Sequence, residues 1–152
     1  MTRPQAPVAL VPRWSYETTL AGEPGSASRA RAFVARHLTE HRLVHLLDPV
    51  RLTASELATH AVVRQTPFTL RLSELEDVVV VTVRDGTARA MADAPADATT
   101  EARVVDALGL RIVELVSLDC GVEIDADGVT MLWASFARRH ARRPLDHHRR
   151  RG

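Results

Sequence analysis

Residues 78–83 read Val-Val-Val-Val-Thr-Val, a run of β-branched side chains. Such a run predicts a strand that is buried on both faces and therefore lies in the middle of a sheet. Residues 68–73 alternate apolar and polar side chains, which is typical of a half-buried strand, and residues 74–77 predict a turn between the two segments. The sequence therefore predicts a hairpin at the centre of the sheet.

One strand and one helix are expected at the beginning of the chain. Residues 14–20 alternate large apolar and polar side chains and predict the first strand. Ser26 suits the cap of a helix that continues to about Leu43, with apolar residues at helical spacing. Histidines recur at positions 37, 41 and 45 of this region, and we expect surface histidines there rather than metal ligands, since no cysteine or fixed carboxylate accompanies them.

The second predicted helix carries an apolar stripe and a polar pair. Asp48 suits its cap and Pro49 its first turn, and the helix is expected to end before Pro67. Glu56 and His60 lie one turn apart on a face beside the stripe, an arrangement that can line a pocket. The alternative is a solvated Glu–His pair, worth a few tenths of a kcal/mol. The stripe consists of Ala54, Leu57, Ala58, Ala61 and Val62.

A long connection and a third helix follow the central hairpin. Residues 85–100 consist largely of Ala, Asp and Thr without periodicity, which predicts a lid or a disordered connection. An apolar stripe over residues 104–116, interrupted by Gly109, predicts a helix that ends at residues 119–121.

The last predicted elements are two strands, residues 122–124 and 129–136, joined by the turn sequence Asp127-Gly128. Helices would thus be grouped against one face of a mainly antiparallel mixed sheet. This order predicts an α/β protein of the α+β type, a two-layer sandwich with helices on one face. A ligand is expected between the helices and the connection after the central strand.

The composition predicts one soluble, cytoplasmic domain with two irregular ends. The 152 residues include a single cysteine and no apolar run of membrane-spanning length, so neither a disulfide nor a membrane partner is expected. All 20 basic side chains are Arg. We expect a flexible N-terminal arm over residues 1–13, a domain over 14–137 and an Arg-rich disordered tail over 138–152. The tail has no aromatic residues for base stacking, so nucleic acid is not an expected partner.

Two motifs lie on these elements, residues 56–60 (Glu-Leu-Ala-Thr-His) and residues 83–86 (Val-Arg-Asp-Gly). With the element order, they resemble the histidine-kinase-like ATPases of the GHKL type, and within them the anti-sigma-factor serine kinases. In that family the first motif has Glu and, four residues on, an Asn that holds Mg²⁺ on ATP; here His60 stands at the Asn position. The Asp of the second motif accepts a hydrogen bond from the adenine amino group. The resemblance implies the histidine-kinase-like (Bergerat) fold for residues 14–137.

Two further motifs match this family in part. Gly109-Leu110 resembles the end of its glycine-rich phosphate-binding segment, although Asp106 stands where the backbone must approach phosphates closely. Gly109 can equally mark a close contact between helix and sheet. Gly128-Val129-Thr130 resembles the terminal Gly-x-Thr whose hydroxyl lies near the adenine, and it is also an ordinary hairpin sequence.

The resemblance implies a nucleotide site in which Glu56 is the general base and His60 takes the metal position. Mg²⁺ prefers oxygen ligands, so an imidazole there predicts weak or lost binding of Mg·ATP. The remaining implied nucleotide-binding residues are Asp85, Gly86, Gly109 and Thr130.

The resemblance therefore predicts a regulatory protein that controls transcription by binding a sigma factor or its antagonist. The expected partner is a sigma factor or an anti-anti-sigma factor, and a homodimer is also compatible with the family. The alternative is an active ATP-dependent serine/threonine kinase that phosphorylates an anti-anti-sigma partner, with Glu56 as its base.

Overall fold

The computed structural model describes residues 11–85, 110–124, 126 and 129–139. In these ranges the chain is α+β, with a five-stranded antiparallel sheet and helices packed on one of its faces. The strands are β1 (Trp14–Leu20), β2 (Phe68–Leu75), β3 (Val78–Asp85), β4 (Asp119–Ile124) and β5 (Thr130–Ala137). The helices are α1 (Ser26–Glu40), α2 (Leu47–Val63) and α3 (Arg111–Val116), with a 3-10 turn at Val44–Leu46 before α2.

The order of the strands is β1-β2-β3-β5-β4, so β3 is central. This confirms the position predicted from its run of valines. All four pairings among the described strands are antiparallel, so the parallel component of the expected mixed sheet is not found there. The antiparallel sheet with helices on one face confirms the two-layer α+β prediction.

The core lies between the sheet and the helices. On β3, Val79, Val81 and Val83 point to the helices and are at most 1% exposed. The apolar stripe of α2 meets them as predicted, with its alanines and Leu57 buried and Val62 partly buried. Aliphatic side chains of both layers thus form one continuous cluster, which keeps α2 against the centre of the sheet.

The first helix differs from its prediction at both ends. Ser26 is its first residue rather than its cap, and the Ser26 hydroxyl donates a hydrogen bond to the carbonyl of Ala21. The helix ends at Glu40 rather than near Leu43, because Arg42 adopts a positive φ of 60° that a helix cannot continue through. The second helix begins at Leu47, so Asp48 lies in its first turn and is not its cap.

The turn between β2 and β3 is shorter than predicted. Strand β2 continues through Glu74 to Leu75, which leaves Glu76 and Asp77 as the turn. Glu74 is 4% exposed. Its Oε1 forms an ion pair with Nε of Arg138 at 2.5 Å. The N–H of this nitrogen is not aligned for a hydrogen bond with the carboxylate. The ion pair is what allows a carboxylate to remain buried in the strand.

Strand β4 begins earlier than predicted. Cys120 and Gly121 lie inside this strand and do not form the end of the preceding helix. The side chain of Trp133 on β5 lies directly over Gly121, where a Cβ would come within 2.8 Å of the indole nitrogen. Residues 104–109 of the predicted helix and the Asp127-Gly128 turn fall outside the described residues. None of the described helices combines the length and apolar character that crossing a membrane requires.

Candidate functional site

A buried carboxylate and a buried hydroxyl lie side by side where β3 ends and β5 begins. Asp85 is the last residue of β3 and Thr130 the first of β5, and they face each other in the antiparallel register. Each is 4% exposed. Asp85 has the same orientation as Val83 two residues earlier, so its side chain points toward the helices. The sheet thus presents two polar groups to the helix layer at one end.

His60 of α2 faces this end of the sheet. Its side chain is half-buried, and its Nε2 atom is inaccessible to water with no hydrogen-bond partner in the described part of the chain. Burial is the largest influence on this imidazole and, with the positive charge of Arg64, lowers the pKa of His60 to about 4. The carboxylate of Asp85 is close enough to raise that pKa in part.

The electrostatics define what His60 can do. With a pKa of about 4 the imidazole is neutral at pH 7, so it can accept or donate a hydrogen bond without bringing a charge. A neutral imidazole beside a buried carboxylate suits a polar, uncharged group. An imidazole nitrogen is a poor ligand for Mg²⁺, a hard cation that prefers oxygen ligands in near-octahedral geometry. His60 therefore does not supply the oxygen that a magnesium ion would take at this position.

The remaining predicted site residues are only partly described. Glu56 lies on α2 one turn before His60, about 6 Å along the helix axis, and is half-buried. The structure thus gathers His60, Asp85 and Thr130 at one end of the sheet, with Glu56 further along the same helix. Gly86 and Gly109 lie outside the described residues.

No cluster of three or more His, Cys, Asp or Glu side chains suited to a metal ion occurs in residues 11–85 or in the described part of 110–139. His37, His41 and His45 do not converge on one point. His45 forms a 2.6 Å hydrogen bond between its Nε2 and the backbone oxygen of Arg138. The other two belong to an aromatic cluster.

This aromatic cluster was not predicted from the sequence. His37 stacks on Tyr16 with ring centres 3.8 Å apart, and His41 stacks on Trp14 at 4.2 Å. The hydroxyl of Tyr16 and Nε2 of His41 form a 2.8 Å hydrogen bond. The sequence predicted His37 on the surface, and this prediction was wrong, because the structure buries its side chain. Two signals mark the cluster: aromatic residues two apart on an edge strand and histidines four apart on a helix.

No protein-family model matches the chain, and no curated protein matches it. The fold and the site therefore define the protein at the level of class: an α+β two-layer protein with a polar site between α2 and the ends of β3 and β5.

Proposed function

We propose that the protein is a regulatory member of the histidine-kinase-like ATPase family, of the anti-sigma-factor type, with a degenerate nucleotide site. It acts by binding a sigma factor or the antagonist of one. The proposal is supported by the element order around the central hairpin and by the buried Asp85 at the end of β3 beside Thr130. These are the positions that carry the resemblance to the family.

One observation carries the degenerate character of the site. The Nε2 atom of His60 is buried and unpaired within the described residues, on an imidazole that is neutral at pH 7. An amide at this position would offer Mg²⁺ an oxygen, which a neutral imidazole cannot. Replacing one oxygen ligand in this way is expected to weaken Mg·ATP by on the order of 1–3 kcal/mol. The partner-binding role does not depend on nucleotide.

Calorimetric titration with ATP, with and without Mg²⁺, tests the nucleotide site. We expect no binding in the micromolar range under either condition. His60→Asn is expected to improve Mg·ATP affinity, since it restores an amide oxygen. Thr59→Asn is the matched control, because it adds the same amide to the exposed neighbouring position of α2 and should have no effect. Micromolar binding of Mg·ATP to the unaltered protein would contradict the degenerate site.

Direct binding measurements with purified proteins test the partner. We expect nucleotide-independent binding to a sigma factor or to an anti-anti-sigma factor, measured with each class in turn. Absence of binding to both classes would contradict the regulatory role, whatever the result with ATP.

The alternative function is an active serine/threonine kinase. It is favoured by Glu56, a half-buried carboxylate one turn from His60 at the position of the family's general base. Its test is transfer of labelled phosphate from ATP to an anti-anti-sigma protein. Phosphate transfer that is abolished by Glu56→Gln would support the kinase function and contradict the proposal of a degenerate nucleotide site.

A further inference from the structure

The face of the sheet that points away from the helices carries a buried patch. The outer-face patch consists of five side chains on β2, β3 and β5. They are 2–8% exposed, although none belongs to the core cluster between sheet and helices. In a two-layer protein this face is ordinarily in contact with water. The patch residues are Ser73, Leu75, Val80, Trp133 and Ser135.

The patch side chains cannot bury one another. Val80 is flanked in the register by Ser73 and Ser135, which are too small to cover a valine. Trp133 lies over Gly121, which has no side chain to cover the indole in return. A further layer therefore shields Val80 and Trp133.

The positions of the chain ends indicate which segments of the chain can form this layer. The backbone N–H of Arg13 donates to the carbonyl of Glu74, and the backbone N–H of Arg138 donates to the carbonyl of Asp77. Both ends of the described chain therefore meet the sheet at the end where the patch lies. Residues 86–109 instead leave β3 at its opposite end, after Asp85.

Composition distinguishes the two ends. The segment 140–152 contains five arginines, and the patch has no acidic residue to pair with them. Residues 1–10 read Met-Thr-Arg-Pro-Gln-Ala-Pro-Val-Ala-Leu, which is mostly apolar and has one charged side chain. Its prolines favour an extended chain and remove N–H groups that burial would leave unpaired.

The reach of this segment is sufficient. From β1 to β5 there are three strand spacings, about 14 Å in all. Ten extended residues span about 33 Å, so a segment that enters at Arg13 can cross β2 and β3 and reach Trp133.

We propose that the outer-face patch is a docking surface for the apolar N-terminal segment, residues 1–10, of the same chain. The segment covers Val80 and Trp133 and keeps an apolar surface from contact with other molecules. This role is independent of the nucleotide site and of the partner proposed above.

Fluorescence of Trp133 tests the proposal. In a Trp14→Phe background Trp133 is the only tryptophan. Deletion of residues 1–10 is expected to shift its emission to longer wavelength and to raise acrylamide quenching severalfold. Deletion of residues 140–152 is the matched control and should leave both readings unchanged. Circular dichroism establishes that each variant is folded.

A pair of substitutions keeps the test decisive if the deleted chain does not fold. Val8→Asp with Leu10→Asp places charges on the apolar segment and is expected to raise quenching of Trp133. Thr2→Asp with Gln5→Asp adds the same charge at polar positions and should have a smaller effect. Unchanged quenching after both the deletion and the Val8/Leu10 substitutions would overturn the proposal. Loss of the shielding of Trp133 on removal of residues 140–152 would also overturn it. Loss of this shielding on dilution would overturn it too, because it would identify a second copy of the chain as the cover.

Discussion

At the scale of single residues, His60 links the candidate site to pH. Its pKa is lowered to about 4 from an ordinary value of 6.5, chiefly by burial. The unfolded chain therefore binds this proton more readily than the folded protein, so the contribution of His60 to stability is lost as the pH falls from 6.5 toward 4. The side chain keeps some contact with water, which reduces the expected loss to ~2 kcal/mol.

Urea unfolding of the protein and of His60→Asn across this pH range checks the prediction. The variant has no titrating group at residue 60, so its stability should fall less steeply between pH 6.5 and 4. Parallel curves for the two proteins would mean that the imidazole is protonated as easily in the fold as in the unfolded chain.

Arg138 is expected to stabilise the fold through Glu74. The carboxylate of Glu74 is buried, and Arg138→Met would leave it without its cation, at an expected cost of about 3 kcal/mol in the free energy of unfolding. Arg139→Met, at the exposed neighbouring position, is the control and should change stability by less than about 0.5 kcal/mol. Adding Glu74→Gln to Arg138→Met should recover part of the loss. Equal stabilities of the two arginine variants would show that the ion pair contributes nothing.

Individual residues also show which features local sequence patterns can predict and which they cannot. The stripe of α2 and the strand-end position of Asp85 follow from local periodicity, and both were predicted. Glu74 was placed in a turn because a glutamate in a strand usually faces water. Its partner, Arg138, lies far along the chain, and periodicity carries no information about such a contact. His37 was misplaced for the same reason, since its burial depends on Tyr16 from another element.

At the scale of elements, Gly22 allows the backbones of two loops to pack closely. It lies between β1 and α1, and a Cβ at this position would collide with the backbone of Gln65 and Thr66, which follow α2. Backbone atoms cannot move aside as a flexible side chain can, so the loops must separate when the glycine is replaced.

Gly22→Ala is therefore expected to lower the free energy of unfolding by about 3 kcal/mol. Gly25→Ala in the same connection is the matched control. Gly25 has open space around the Cβ position and a φ of −66°, so alanine should be tolerated within about 0.5 kcal/mol. Chemical denaturation of both variants measures the difference, and a similar stability for the two would contradict the close approach of the loops.

The lengths of elements were predicted less well than their existence. Strand β1 matched its prediction because its alternation is uninterrupted. The end of α1 was misjudged because leucine and histidine at residues 41–43 suit a helix. Arg42 instead takes a positive φ, and the backbone N–H of Leu43 donates back to the carbonyl of Leu38. Strand β4 was expected to begin later because Asp119-Cys120-Gly121 is typical of a helix end, and the fit of Trp133 over Gly121 requires knowledge of the neighbouring strand.

At the scale of the whole molecule, one core joins both layers. Buried apolar side chains of α1, α2, α3 and the helix-facing side of the sheet belong to a single cluster. We expect one cooperative unfolding transition, because the outer-face patch lies on strands that this cluster holds together. Trp14 lies on the helix-facing side of β1 and Trp133 on the outer face of β5.

Single-tryptophan variants, Trp14→Phe and Trp133→Phe, report on these two positions. Their fluorescence transitions in urea should coincide, in each variant, with the loss of helix measured by circular dichroism. An earlier transition of the Trp14 signal would show that β1 separates before the rest of the sheet.

The overall architecture was predictable only in part. Periodicity gave the number and type of the described elements, and the valine run placed β3 at the centre. No local sequence pattern predicts that β5 lies between β3 and β4. The pairing of β5 depends on contacts with strands that are distant in the sequence. The candidate site depends on this same placement, because Thr130 reaches Asp85 only through the pairing of β5 with β3.

The interior position of β5 also bears on how the chain is made. Synthesis delivers β5 last among the described strands, yet this strand joins β4 to the other three. A nascent chain that has not yet released residues 130–137 from the ribosome holds β1, β2 and β3 with one side of β3 unpaired. Translation must therefore continue past Arg138 until β5 has left the ribosome before the sheet can close, and until then the exposed side of β3 is a surface on which a chaperone can act.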